Sequence, residues 1–205
     1  MPWIETISYV DSHGRLRTLY DRVKGPGGAI DEILQLHALR PHTLDGHMAL
    51  YKSVLHHTAN RLPVSFLEVV GIYVSLLNRC DYCVDHHTEG LRRLLNDDAR
   101  LSAIRTALDA ERPEDAFNPA ESAALHYAAK LTREPWSIAA ADVQALRAAG
   151  LDDGTILEVN QVAAYFAYAN RTVLGHNLCT EYLVAGFEPD GTIHKLVEIE
   201  PLTDH

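Results

Sequence analysis

Ser65-Phe66-Leu67-Glu68-Val69-Val70-Gly71-Ile72-Tyr73-Val74-Ser75-Leu76-Leu77-Asn78-Arg79-Cys80-Asp81-Tyr82-Cys83-Val84-Asp85-His86-His87 is the stretch whose reading decides the fold. Residues 66–77 are apolar nearly all round, the pattern of a central helix buried on every side. A second helix is expected to run on from there over residues 78–96. On that helix Cys80 and Cys83 lie one turn apart, His87 follows Cys83 by four residues, and all three project from nearly one face. Asn78 is placed to cap it, leaving Cys80 in the first turn, where free N–H groups and the positive end of the macrodipole favour thiolate. A dithiol beside an imidazole can carry redox chemistry.

Outward from this pair, helical periodicity recurs and long alternating strand patterns are scarce, so the expected fold is all-α. Residues 29–40 read as a first helix stopped by Pro41, and residues 43–58 as a second that ends before Asn60-Arg61-Leu62-Pro63. Later helices fit 99–110, 119–132, 139–149 and 153–176, punctuated by Pro135, Gly150 and Gly154. That makes about eight helices in one bundle, since no linker divides the chain. Residues 1–27, with Gly25-Pro26-Gly27, read as an N-terminal loop, residues 28–178 as the helical domain, and residues 179–205 as an irregular tail. Asn-Arg occurs at 78–79 and again at 170–171, too little to claim a repeat.

The chain has 205 residues, 47% hydrophobic and 22% charged, long enough for a sizeable core without staples. A formal charge of −10 with no compensating Lys/Arg stripe argues against nucleic acid, and no segment approaches a membrane span. The first residues carry no basic and apolar leader pattern, so a cytoplasmic location is expected, with reduced thiols. Three cysteines make no disulfide framework.

Each candidate residue has a plainer reading. Ser65 and Glu68 form Ser-x-x-Glu before an apolar run, the signature of a capping box that would explain Glu68 structurally. Alternatively, a turn near Asn78 brings Glu68 back against the cysteine helix, where burial could raise its pKa toward neutrality and fit it for proton transfer. Cys80, Cys83 and a histidine could instead hold structural zinc, with Cys179 and His176 as the only visible further ligands. Cys179 otherwise reads as a small buried hydrophobe. His37, His42, His47, His56 and His57 form no compact metal triad and read as surface or interface residues, the alternative being that one of them lines the pocket, and His86 reads as exposed or bound elsewhere.

The spacing Glu-x11-Cys-x2-Cys-x3-His, met by Glu68, Cys80, Cys83 and His87, resembles the alkyl hydroperoxidase D and carboxymuconolactone decarboxylase-like superfamily. Leu77-Asn78-Arg79-Cys80-Asp81-Tyr82-Cys83 and Tyr165-Phe166-Ala167-Tyr168-Ala169-Asn170-Arg171 are most similar to its peroxidase-related branch. The resemblance implies an AhpD-like helical fold, a homo-oligomer such as a trimer or hexamer, and reduction of alkyl or hydrogen peroxide at the paired cysteines. It also implies Glu68 and His87 as a proton relay, with no organic cofactor or metal. Tyr82 stands where some members carry a histidine, and a phenol is a poor base near neutrality.

On this resemblance, one thiolate attacks the distal peroxide oxygen and becomes a sulfenic acid, and the other cysteine converts it to a Cys80–Cys83 disulfide. Cys83, nearer His87 along the helix, is assigned the attack and Cys80 the resolution. His87 takes the thiol proton and returns it to the leaving oxygen. A lipoyl-type or thioredoxin-type dithiol then resets the pair. The alternatives are a carboxymuconolactone decarboxylase-like activity, for which a dithiol is unnecessary, and a redox-sensing or zinc-binding helical oligomer without turnover.

Overall fold

In the computed structural model of this protein, residues 2–25 and 28–178 are described. The expected C-terminal tail, including Cys179, lies outside them, as do Pro26 and Gly27. The described residues form nine α-helices and no strand, which agrees with the all-α expectation.

The central helix is α4, Val64–Leu77, with every residue from Phe66 to Ser75 buried. Around it pack α3 (Pro41–Leu55), α5 (Asp81–Leu95), α7 (Pro119–Arg133) and the long α9 (Asp153–Leu174). An outer set completes the bundle: α6 (Asp98–Asp109) lies on α5, and α8 (Ala140–Ala148) on α7 and α9. Side-chain caps fix where the later helices begin. Asn118 and Glu121 form a capping box on α7, while Asp97 and Asp152 accept the Arg100 and Thr155 N–H groups at the starts of α6 and α9. Where α4 crosses α9, the ring of Phe166 occupies the space that a Cβ on Gly71 would need.

Two N-terminal expectations are corrected. The segment read as a loop contains α1, Gly14–Val23, whose Leu16, Leu19 and Tyr20 are buried against Ile30, Leu34 and Leu44 in a core of their own. Its apolar residues recur at helical spacing, but among so many charges that the segment reads as polar. The single helix expected over 29–40 reduces to α2, Glu32–Gln35, followed by turns. Pro41 begins α3 and forces Arg40 before it out of helical geometry, with φ −142° and ψ 73°, so the chain turns there instead of continuing.

The corner between α4 and α5 also differs from expectation. Asn78 does not cap α5; it ends α4, and Cys80 is the N-cap residue of α5. Arg79 is left-handed at φ 56°. The Cys80 N–H donates to the Ser75 carbonyl at 2.9 Å and the Arg79 N–H to the Leu76 carbonyl at 3.0 Å, the two bonds of a Schellman ending. One left-handed residue therefore closes α4 and delivers Cys80 straight to the start of α5.

Candidate active site

At this corner Cys80 and Cys83 are both free, with their sulfurs 2.8 Å apart. They sit among Leu36, Val173 and Leu178, with Cys80 0% and Cys83 3% exposed. Their shared hydrogen bond lowers the pKa of Cys80, assisted by the Cys83 backbone N–H at the start of α5. The same bond, together with burial, pushes the Cys83 thiol up. The pair's first negative charge therefore settles on Cys80, and the remaining proton on Cys83. Asn170 on α9 sits beside both sulfurs, and its side chain favours their charged forms. Its amide is held by the buried Ser75 hydroxyl at 3.0 Å and by the Asn78 amide at 2.9 Å.

Glu68 and His87 come together. The His87 Nδ1–H donates to Glu68 Oε2 at 2.7 Å, with the two side chains only 12% and 5% exposed. The capping-box reading of Glu68 is overturned: α4 starts at Val64 with Pro63 as N-cap, so Ser65 is already inside the helix and Glu68 points inward. Burial alone pushes the Glu68 carboxyl up, but the charge and hydrogen bond of His87 outweigh it and hold the carboxyl below its ordinary value. Contrary to the expectation of a near-neutral acid, Glu68 is an ionised group that fixes the imidazole. With Nδ1 engaged, Nε2 is the nitrogen left for chemistry. Phe166 holds the ring edge-on, centroids 4.6 Å apart.

A cavity of about 560 Å³ opens where α1, α2, α3, α5 and α9 meet, and Cys83 and His87 line it while Cys80 does not. The remaining wall mixes tyrosines and histidines with aliphatic side chains and the charged Asp21, Arg22, Lys24, Asp31 and Lys52. Tyr51 and Tyr165 face each other at 5.8 Å, and Tyr82 stacks on His86 with their rings 6.1 Å apart and 8° from parallel. The Tyr82 hydroxyl accepts a long bond of 3.4 Å from the Ile33 N–H, which ties the α2 segment to the site, and burial raises its pKa.

The histidines need correction too. His86 is half-buried in the cavity wall, not turned away, and burial lowers its pKa. His42 and His57 are exposed as expected, but His37 and His47 are buried, and His47 and His56 line the cavity. Tyr51 carried no motif that marked it in advance. Only Tyr165 and Asn170 lay in a quoted likeness, and the Asn-Arg recurrence set aside as chance joins two asparagines that bond each other. Among the described residues no group of three or more His, Cys, Asp or Glu side chains is placed to hold a metal ion. No helix among them is long and apolar enough to cross a membrane.

The model of the carboxymuconolactone decarboxylase family matches residues 41–130, which include Glu68, Cys80, Cys83 and His87. No curated protein matches the sequence. Among solved structures, an uncharacterized peroxidase-related protein with an alkylhydroperoxidase AhpD core from Ralstonia eutropha JMP134 is 19% identical, with TM-score 0.75 over 87% of this chain and 91% of the other. An uncharacterized peroxidase-related protein from Silicibacter sp. TM1040 is 23% identical, with TM-score 0.69 over 80% and 83%. The debrominase Bmp8 is 16% identical, with TM-score 0.67 over 84% and 89%. At these identities the likeness is one of fold.

Proposed function

Because the chain belongs to the alkyl hydroperoxidase D and carboxymuconolactone decarboxylase-like superfamily, we propose that it is a thiol peroxidase that reduces organic hydroperoxides at Cys83 and Cys80. The observation that carries this reading is the meeting of three things at one cavity: a close sulfur pair, a fixed imidazole and a wall that includes three tyrosines.

His87, held by Glu68, removes one proton from the dithiol, leaving a monoanion. As peroxide arrives, the remaining proton shifts from Cys83 to Cys80, and the Cys83 thiolate attacks the distal oxygen. The O–O bond breaks, Cys83 becomes a sulfenic acid, and an alkoxide leaves that must be protonated to the alcohol. The Cys80 thiol then displaces water from the sulfenic sulfur and forms the disulfide. Two thiols and ROOH give a disulfide, ROH and water. A dithiol reductant of lipoyl or thioredoxin type returns two electrons and two protons. The active assembly is proposed to be a homo-oligomer in the cytoplasm.

The test mixes pre-reduced protein with one equivalent of cumene hydroperoxide and counts free thiols by mass spectrometry after alkylation. Two thiols should disappear together into a Cys80–Cys83 disulfide. Glu68→Gln and His87→Ala should each slow this about 10²-fold, the usual contribution of a positioned base. Thiols that stay reduced in the unaltered protein rule the reading out.

A second reading comes from the fold shared with Bmp8, a variant of which was solved with 2,3,4-tribromopyrrole. The Tyr51, Tyr82 and Tyr165 rings in the cavity wall suit a brominated ring. Cys83 would take the bromine from carbon while the ring gains a proton, and Cys80 would then release bromide and form the same disulfide. Release of bromide from a bromopyrrole by the reduced protein would favour it.

A further inference from the structure

His87 is one donor for the leaving oxygen, and the cavity holds a second that the relay of Glu68 and His87 does not use. Tyr165 is on α9, 3% exposed, in the same cavity wall as Cys83 and His87. Its ring stands edge-on to Phe166, centroids 5.2 Å apart, and Phe166 stands edge-on to His87. The hydroxyl is thus fixed relative to the base. It lies close enough to Cys83 for charge on that sulfur to raise its pKa, in addition to the larger effect of burial.

Behind it are two buried histidines. The Tyr165 hydroxyl and His47 Nε2 are 3.5 Å apart, a long hydrogen bond inside the protein. The other nitrogen of His47, Nδ1, is buried with no partner, and so is Nε2 of His37, whose ring centroid is 5.1 Å from that of His47. His37 Nδ1 bonds the Thr43 hydroxyl at 2.7 Å, and Thr43 is at the surface. Buried imidazole nitrogens without partners are costly, so two in neighbouring rings call for a use. Burial lowers the pKa of both rings, that of His47 to about 4, so each is neutral with one nitrogen to donate and one to accept.

Building on the peroxidase reading, we propose that Tyr165 is the catalytic acid that protonates the leaving alkoxide, and that His47 is a positioning residue that holds its hydroxyl. As Cys83 breaks the O–O bond, the alkoxide takes the Tyr165 proton and leaves as alcohol. The phenolate recovers its proton from solvent through the cavity. His87 later releases the thiol proton to solvent, so the cycle closes.

A leaving group that needs no proton separates this role from a structural one. Thiol loss from the pre-reduced full-length protein is followed by rapid quench with tert-butyl hydroperoxide, which expels an alkoxide, and with peracetic acid, which expels stable acetate. Tyr165→Phe is expected to react about 10²-fold more slowly with the hydroperoxide and within about twofold of the unaltered protein with the peracid. His47→Asn should give the same selective pattern at smaller size, which checks the result in a second variant. Glu68→Gln should slow both oxidants, because it impairs thiol deprotonation. Equal slowing of both oxidants by Tyr165→Phe and by His47→Asn, or slowing of neither, overturns the proposal. An unaltered protein that is inert to tert-butyl hydroperoxide overturns the peroxidase reading and this inference with it, whereas a reactive one with an indifferent Tyr165→Phe overturns the inference alone.

Discussion

Cys83→Ser is expected to lower peroxide-dependent thiol oxidation by roughly 10³-fold or more, the scale of removing a nucleophile. Cys80→Ser should instead still react once and stop at a sulfenic acid on Cys83, trapped by dimedone and located by peptide mass spectrometry. Charge and access pull in opposite directions here. The shared hydrogen bond favours thiolate on Cys80, yet Cys80 is 0% exposed and only Cys83 lines the cavity. Access decides, because moving a proton along a sulfur–sulfur hydrogen bond is a small change, whereas bringing ROOH to Cys80 requires opening the corner between α4 and α5. A Cys83→Ser protein that forms sulfenic acid on Cys80 would reverse the assignment.

Gly71→Ala should cost about 3 kcal/mol, the upper part of the usual range for overpacking, and lower the melting temperature by about 6–12 °C in calorimetry. The added methyl must displace the fully buried ring of Phe166, and α4 is packed on several sides and has no room to retreat. Adding Phe166→Leu should recover part of the loss, giving a favourable coupling between the two positions. The damage should also reach the chemistry, since the same ring holds His87 edge-on. A melting temperature unchanged by Gly71→Ala would mean that the two helices slide apart without cost.

The buried run of α4 and the Cys-x-x-Cys-x3-His spacing were legible because each depends on local periodicity: apolar residues on all sides demand burial, and i, i+3 and i+4 steps set a helix face. Glu68 was legible as a candidate but not in its state. Its low pKa comes from an imidazole nineteen residues away in sequence, and its apparent capping role vanished once α4 began at Val64. The start of α5 was misread because Arg79 closes α4 in a left-handed conformation that glycine usually supplies, leaving no sequence mark at the corner. His47 and His37 looked like surface residues because what packs on His47 is the distant Tyr165 and Tyr168 of α9, and His37 packs on His47 in turn. Asn170 meets Asn78 only through the packing of α9 on α4, which no window along the chain contains.

Complete burial of Cys80 leaves the oxidised pair with a single approach, through the cavity and onto the sulfur of Cys83. Oxidant and reductant must then take turns at one mouth. Steady-state rates measured against peroxide at several fixed reductant concentrations should give parallel double-reciprocal lines, and each substrate in excess should inhibit by occupying the form meant for the other. A slender dithiol arm can follow the peroxide inward, while a reductant whose thiols sit flat on a protein surface must first wait for the α4–α5 corner to loosen.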